Sequence, residues 1–279
     1  MNFLELQNKI LITEIKNDIN LENTLECGQC FRWKKINNKY HGIANNENIT
    51  VYKKNKDLII ENSNINNVKN FWVNYFDLNL DYTKIKKYLS NTNTYLLQAY
   101  ESCPDIHILN QEPWETLCSF IISQNNNIPR IKKIISKLCE NFGYKLSNNN
   151  FSFPDYKIMS QLKKKDLEII KSGFRTRYIL NTAEKISTGE INLEEIKNME
   201  INQARKKLVT LNGVGPKISE CVLLYSYHKL EAFPMDIWMK KVVDKLIANK
   251  DIKIFGKYAG IAQQYLYYYI RKNKHILEL

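Results

Sequence analysis

The stretch LNGVGPKISEC (211–221) places a lysine where a helix begins and a cysteine one turn behind it. Pro216 suits the first turn of a helix, because the amide hydrogen it lacks would have no partner there. Lys217 then stands at the second helical position, near the positive end of the helix dipole, where an ammonium is disfavoured. The plain reading is a solvated surface lysine. A destabilised ammonium is also what an amine nucleophile needs, and burial would favour the neutral amine further. Cys221 follows at i+4, on the same helix face, and reads as a small core residue. Some twenty residues later, in FPMDIW (233–238), Asp236 precedes an apolar helix over Ile237–Leu246. It reads as an N-cap. A carboxylate held at such a cap could also face a positive charge developing on a sugar.

The elements that must position these residues are visible in outline. The segment 204–211 has helical spacing, Asn212-Gly213-Val214-Gly215 interrupts it, and Pro216 restarts it. Two glycines two apart allow unusual dihedrals and close approach by another backbone. The N–H groups of Gly213, Gly215 and the new helix start are free to bind a phosphate oxygen without reading sequence. This is a helix-hairpin-helix pattern, and its carbonyls could hold a monovalent or divalent cation that bridges to phosphate. Upstream, 39–45, 49–54 and 58–61 read as short strands broken by Asn-rich turns, which predicts an antiparallel sheet. From about residue 82 the spacing turns helical, in 113–122, 128–142 and 157–172, with Gly143 and Gly173 as stops. The expected fold is α+β: a sheet domain over 1–80 and a helical domain over 81–279.

Lysine and arginine number 41 against 29 acids, a net charge of +12. On a folded chain, with 44% hydrophobic residues, that excess points to a polyanion such as nucleic acid. No apolar run is as long as a membrane helix. The N-terminus lacks the order of a signal peptide, and six cysteines in such a chain read as reduced thiols. The expectation is an intracellular protein without a membrane partner, in the cytoplasm or nucleoid if prokaryotic. Cys27-Gly-Gln-Cys30 is the one CxxC; with no second pair, no zinc is expected.

The GVGPK hairpin followed by a Pro-x-Asp cap resembles the helix-hairpin-helix DNA glycosylases. CGQCFRW (27–33), SQNNNIPRI (123–131) and GFRTRY (173–178) together resemble the 8-oxoguanine DNA glycosylase family, from about residue 21 to residue 267. The resemblance implies a TATA-binding-protein-like sheet domain joined to a helical glycosylase domain. It implies a monomer that binds duplex DNA containing 8-oxoguanine opposite cytosine, removes the base and cleaves the strand through a lysine Schiff base. On that reading Lys217 is the nucleophile and Asp236 supports the oxocarbenium-like transition state. The carbonyl of Gly28 accepts the N7–H that guanine lacks. Cys221 forms one side of the base sandwich. In AGIAQQYLYYYI (259–270), Gln263 reads the polar edge of the base and Tyr267 stacks on its face. Asn125, Arg130 and Arg175 hold the orphaned cytosine, Phe174 fills the stack, and Gly213 and Gly215 hold phosphate. No cofactor is required. The four clustered C-terminal cysteines of iron–sulfur relatives are missing beyond Cys221, so no cluster is expected.

The sequence departs from the family pattern at Trp238, where a histidine is frequent, at Phe174 (tyrosine) and at Tyr267 (phenylalanine). Two rival readings stand beside this one. A glycosylase for alkylated bases would share the hairpin but not Gly28, Cys221 and Gln263 together. A non-catalytic DNA-binding module would need neither Lys217 nor Asp236.

Overall fold

The computed structural model describes residues 1–278; Leu279, the last residue of the expected helical domain, lies outside the described residues. The fold is α+β, an antiparallel sheet followed by helices. Six strands among the described residues, β1 (Asn2–Leu6), β2 (Lys9–Thr13), β3 (Trp33–Ile36), β4 (Lys39–Ala44), β5 (Glu47–Lys54) and β6 (Asp57–Glu61), form one sheet in the order β1-β2-β6-β5-β4-β3. The last three match the expected strands within two residues at each end. Asparagine closes the tight turns: Asn8, Asn37, Asn45, Asn46 and Asn55 all have positive φ. Asparagine tolerates this left-handed region, which most side chains avoid. Ile10, Ile12, Ile49, Val51, Leu58 and Ile60 line the inner face and pack with Trp72 and Phe76 in the first of two hydrophobic cores.

The helices of eight or more residues are α1 (Tyr82–Ser90), α2 (Thr94–Ser102), α3 (Pro113–Ser123), α4 (Ile128–Phe142), α5 (Arg175–Ser187), α6 (Ile201–Leu208), α7 (Pro216–Tyr227), α8 (Ile237–Leu246) and α9 (Ala259–Lys272). They enclose the second core. Two expected helices need correction. Instead of one helix over 157–172 there are two short ones, Tyr156–Ser160 and Asp166–Ile170. The Asp166 carboxylate accepts the Lys163 amide at 2.7 Å, turning the chain between them. The helix expected over 204–211 is α6, which ends at Leu208; Thr210 Oγ1 donates to the Lys207 carbonyl and the backbone leaves in a turn.

The cores exchange residues across the chain. Cys27 and Phe31 belong to the helical core, and Leu109 to the sheet core. Fully buried His107 fastens the seam: its ring stacks on Tyr82 at 4.1 Å, and its two nitrogens face the carbonyls of Phe76 and Asp18 at 2.9 and 3.0 Å. Burial lowers the pKa of His107, against the pull of those two carbonyls.

Candidate active site

The hairpin departs from its sequence reading in one respect. Gly213 takes a left-handed φ of +81°, but Gly215 has an ordinary φ of −89° and serves as the N-cap of α7. A Cβ on Gly213 would lie 2.4 Å from Tyr178 Cδ2, so the glycine is needed for the tyrosine ring to pack against the turn. A Cβ on Gly215 would meet no atom within 4 Å. What its missing side chain keeps clear is therefore the outer surface. Among the described residues neither glycine donates its N–H to another backbone group, which leaves both for an anion at the start of a helix.

Lys217 occupies the second position of α7 and is half-buried, with Nζ 5.0 Å from the centre of the Phe120 ring. Cys221, one turn on, is 2% exposed. Burial pushes its thiol up to about 11, although the Lys217 ammonium beside it pulls the other way and the Asp236 carboxylate adds to the rise. Cys221 is thus a neutral thiol at physiological pH. Asp236 caps α8 as expected: Oδ1 accepts the Met239 amide at 2.8 Å. Its other oxygen accepts no hydrogen bond among the described residues.

Helix α9 supplies the facing wall. Burial raises the pKa of Tyr267, with Arg271 opposing it and Asp236 and Cys221 reinforcing it. Lys217, Cys221, Asp236 and Tyr267 therefore share one electrostatic neighbourhood, although 50 residues separate the first from the last. Gln263, one turn before Tyr267, is 3% exposed and its Oε1 has no partner among the described residues. Such an atom costs about 1–3 kcal/mol unless something else supplies the bond. Gly28 lies against the same wall: its Cβ position would be 3.8 Å from Tyr267 Cε1 and 3.9 Å from Ile128 Cδ1, and its φ is +94°.

A second cluster lies where the chain leaves α3 and enters α5. Asn125 is exposed with a φ of +44°, in the left-handed region that asparagine tolerates. Arg130 is exposed; Phe174 is 50% exposed. Arg175, expected to hold the orphaned cytosine with Asn125 and Arg130, is buried. It is 3% exposed and donates to the carbonyls of Gln124, Asn125 (3.0 Å) and Ser172 (3.1 Å). Its guanidinium holds the loop that presents Asn125, leaving little hydrogen-bonding capacity for another partner. Burial and the nearby Arg130 charge both lower the pKa of Arg175. The Phe174 ring lies 4.4 Å from the Arg175 guanidinium and edge-on to Tyr178 at 5.9 Å. Tyr178 thereby links the exposed phenylalanine to the hairpin turn. Trp238 is half-buried, and its ring lies 5.8 Å from the ammonium groups of both Lys241 and Lys274.

Several supporting residues escaped the sequence reading. Gln29, fully buried, ties the Gly28 loop by donating to the carbonyls of Thr24 and His107 and accepting from the Leu109 amide, all at 2.8–2.9 Å. Gln264 donates to the Cys27 carbonyl and accepts from the Tyr225 hydroxyl; the Tyr225 ring stacks on Phe120 at 5.5 Å. These bonds fix the peptide that precedes Gly28 and the side chain that follows it. The Cys27 and Cys30 thiols donate to the carbonyls of Thr24 and Leu25. No group of three or more His, Cys, Asp or Glu side chains converges to hold a metal among the described residues, and no helix there is long and apolar enough to cross a membrane.

Comparison with known proteins agrees with this geometry. Residues 10–117 match the family model for the N-terminal domain of 8-oxoguanine DNA glycosylase, and residues 118–256 that of the HhH-GPD superfamily of base excision DNA repair proteins. An N-glycosylase/DNA lyase of Saccharomyces cerevisiae is 30% identical over 271 residues, covering 85% of this chain and 71% of the yeast protein. The structure of Clostridium acetobutylicum 8-oxoguanine glycosylase/lyase, bound to duplex DNA with cytosine opposite 8-oxoguanine, superposes with a TM-score of 0.92. The two are 38% identical over 98% of this chain and 99% of that one. A 3-methyladenine DNA glycosylase of Archaeoglobus fulgidus, at 20% identity and a TM-score of 0.75, shares the fold. With both domain families matched in order and the relatives covered over most of their length, the chain belongs to the 8-oxoguanine DNA glycosylase/lyase family.

Proposed function

We propose that this chain excises 8-oxoguanine opposite cytosine from duplex DNA and then cleaves the strand by β-elimination. The observation that carries the residue assignments is that Cys221 feels the charges of both Lys217 and Asp236, that Tyr267 feels those of Asp236 and Cys221, and that Tyr267 packs beside Gly28. The target base cannot be attacked inside the stack and is flipped out. Tyr267 and Cys221 sandwich it, Gln263 reads its Watson–Crick edge through the unpaired Oε1, and the Gly28 carbonyl accepts N7–H. In unmodified guanine that carbonyl would face a lone pair, which disfavours the ordinary base. The Lys217 amine forms a bond to C1′ as the base leaves with the pair of electrons from the glycosidic bond and a proton. Asp236 stabilises the positive charge that develops on the sugar. Ring opening yields the Schiff base, loss of a C2′ proton expels the 3′ phosphate, and water releases the lysine.

Phe174 enters the gap left by the flipped base. Asn125 and Arg130 contact the orphaned cytosine, with Arg175 holding their loop, and Gly213 and Gly215 bind phosphate. The sheet domain (1–80) supplies Gly28 and the helical domain (81–279) the rest. The reading needs no cofactor and places a monomer inside the cell, where its DNA is. The unpaired Gln263 and the Gly28 carbonyl favour an oxidised purine over an alkylated base. The test is borohydride trapping on a duplex with one 8-oxoguanine opposite cytosine, beside Lys217→Gln. A covalent band with wild type alone is expected, with lesion binding kept in the variant. Trapping by Lys217→Gln would refute the nucleophile assignment; release of 3-methyladenine in place of 8-oxoguanine would refute the substrate.

A further inference from the structure

Arg271 follows Tyr267 by four residues and Gln263 by eight on α9, so the three side chains form one stripe. Its Nη1 lies 3.4 Å from the point that a Cβ on Gly28 would occupy, and its guanidinium carbon lies 5.5 Å from the centre of the Tyr267 ring. Nη1 is buried and has no hydrogen-bond partner among the described residues, although the guanidinium is close enough to the Tyr267 hydroxyl to favour its ionised form. A buried donor in that state calls for an acceptor from outside the chain. Gln263 Oε1 is buried and unpaired at the other end of the stripe.

The helical rise separates the Cα atoms of Gln263 and Arg271 by about 12 Å, more than the length of a purine. With Tyr267 between them as the stacking surface, they serve opposite ends of the base. Gln263 at the Watson–Crick end leaves Arg271 at the imidazole end, where Gly28 also lies. N7 has an oxygen on each side, O6 toward the Watson–Crick edge and O8 away from it. We propose that Arg271 donates from Nη1 to O8, so that Gly28 and Arg271 together read the N7–H and C8=O pair of the oxidised base. This rests on the reading under Proposed function. Guanine mismatches both contacts at once: the carbonyl faces a lone pair, and the guanidinium faces C8–H. Arg271 is thus a specificity-determining residue in its own right, beyond the packing of its stem on Tyr267.

The test compares wild type, Arg271→Met and Arg271→Lys on duplexes carrying 8-oxoguanine, 8-oxoinosine (no 2-amino group) or 8-aminoguanine (a donor at C8). The readouts are single-turnover base release and duplex affinity. Arg271→Met should slow release of 8-oxoguanine and 8-oxoinosine by the same factor, about 10- to 100-fold, as for a lost hydrogen bond to a charged group. Affinity for 8-aminoguanine should change by less than about 3-fold, because no acceptor is present to lose. Equal losses on 8-oxoguanine and 8-aminoguanine would make Arg271 a structural residue and overturn the proposal, as would an unchanged rate on 8-oxoguanine. Thermal unfolding shows whether Arg271→Met folds. If it does not, Arg271→Lys carries the comparison: its ammonium still donates to O8, so release of 8-oxoguanine should recover to within about 10-fold of wild type, and equal losses on 8-oxoguanine and 8-aminoguanine in that variant overturn the proposal. Failure of the wild type to release 8-oxoguanine would overturn the function reading itself, and this assignment with it.

Discussion

On the proposed reading Asp236 has two jobs in one carboxylate, and they divide between its two oxygens. Oδ1 caps α8 through the Met239 amide at 2.8 Å, while the other oxygen is unengaged among the described residues. The substitution Asp236→Asn would keep the cap, because asparagine and aspartate cap helices about equally. It would lose the charge, which contributes at most about 1 kcal/mol to the helix through the dipole. The catalytic loss should be larger. A carboxylate about 5 Å from a unit positive charge, at an effective dielectric near 20 for this half-buried position, contributes about 3 kcal/mol. That is a slowing of base release of about 10²-fold. Asp236→Ala removes cap and charge together and should cost about 1 kcal/mol more in stability, or about 2–4 °C in Tm for a chain of this size. The assay is single-turnover excision at saturating protein, with Tm measured for both variants. Wild-type excision by Asp236→Asn would refute the electrostatic role. An equal loss of Tm in the two variants would refute the division of labour between the oxygens.

The hairpin and the thiols can be tested in the same preparations. Gly213→Ala places a Cβ 2.4 Å from Tyr178 Cδ2 at a φ of +81°, so it should cost about 1–2 kcal/mol of backbone strain and displace the ring. Filter binding should then show affinity falling about 10-fold for damaged and undamaged duplex alike, about 1.4 kcal/mol; unchanged affinity would show that the turn does not hold DNA. Cys221, held near 11 against an ordinary 9.0, should carry about 100-fold less thiolate at neutral pH than an unperturbed cysteine. Iodoacetamide followed by peptide mapping should find Cys221 alkylated slowly in the native protein and quickly in denaturant; fast native labelling at neutral pH would contradict the buried, neutral thiol.

The difference between what was legible and what was not follows the distance over which each feature is encoded. The hairpin, the Asp236 cap and the spacing of Gln263 and Tyr267 are local, and α7, α8 and α9 carry them where expected. β1, β2 and β3 were not read. The outer strand β1 is mostly exposed, with no apolar alternation to mark it. Gln29 and Gln264 look like any glutamine, because their partners lie up to 237 residues away. The motif around Tyr267 also stopped one residue short of Arg271, whose significance comes from Gly28, far away in the chain.

Arg175 shows how a local motif can mark the right residue and leave its action open. GFRTRY singles it out, and an arginine in a basic chain reads as a contact to DNA. In the folded chain its guanidinium lies beneath the Gln124 and Asn125 carbonyls. On the proposed reading, any influence on the opposite cytosine then passes mainly through the posture of Asn125, whose carbonyl Arg175 holds. On this arrangement, truncating Arg175 would act on recognition by releasing the loop it ties as well as by uncovering buried carbonyls, which cost about 1–3 kcal/mol each when left unpaired. Truncating Arg130, which is exposed, would remove the proposed contact and little else. The two arginines sit close enough for the charge of one to lower the pKa of the other, and their different burial separates a positioning role from a touching one.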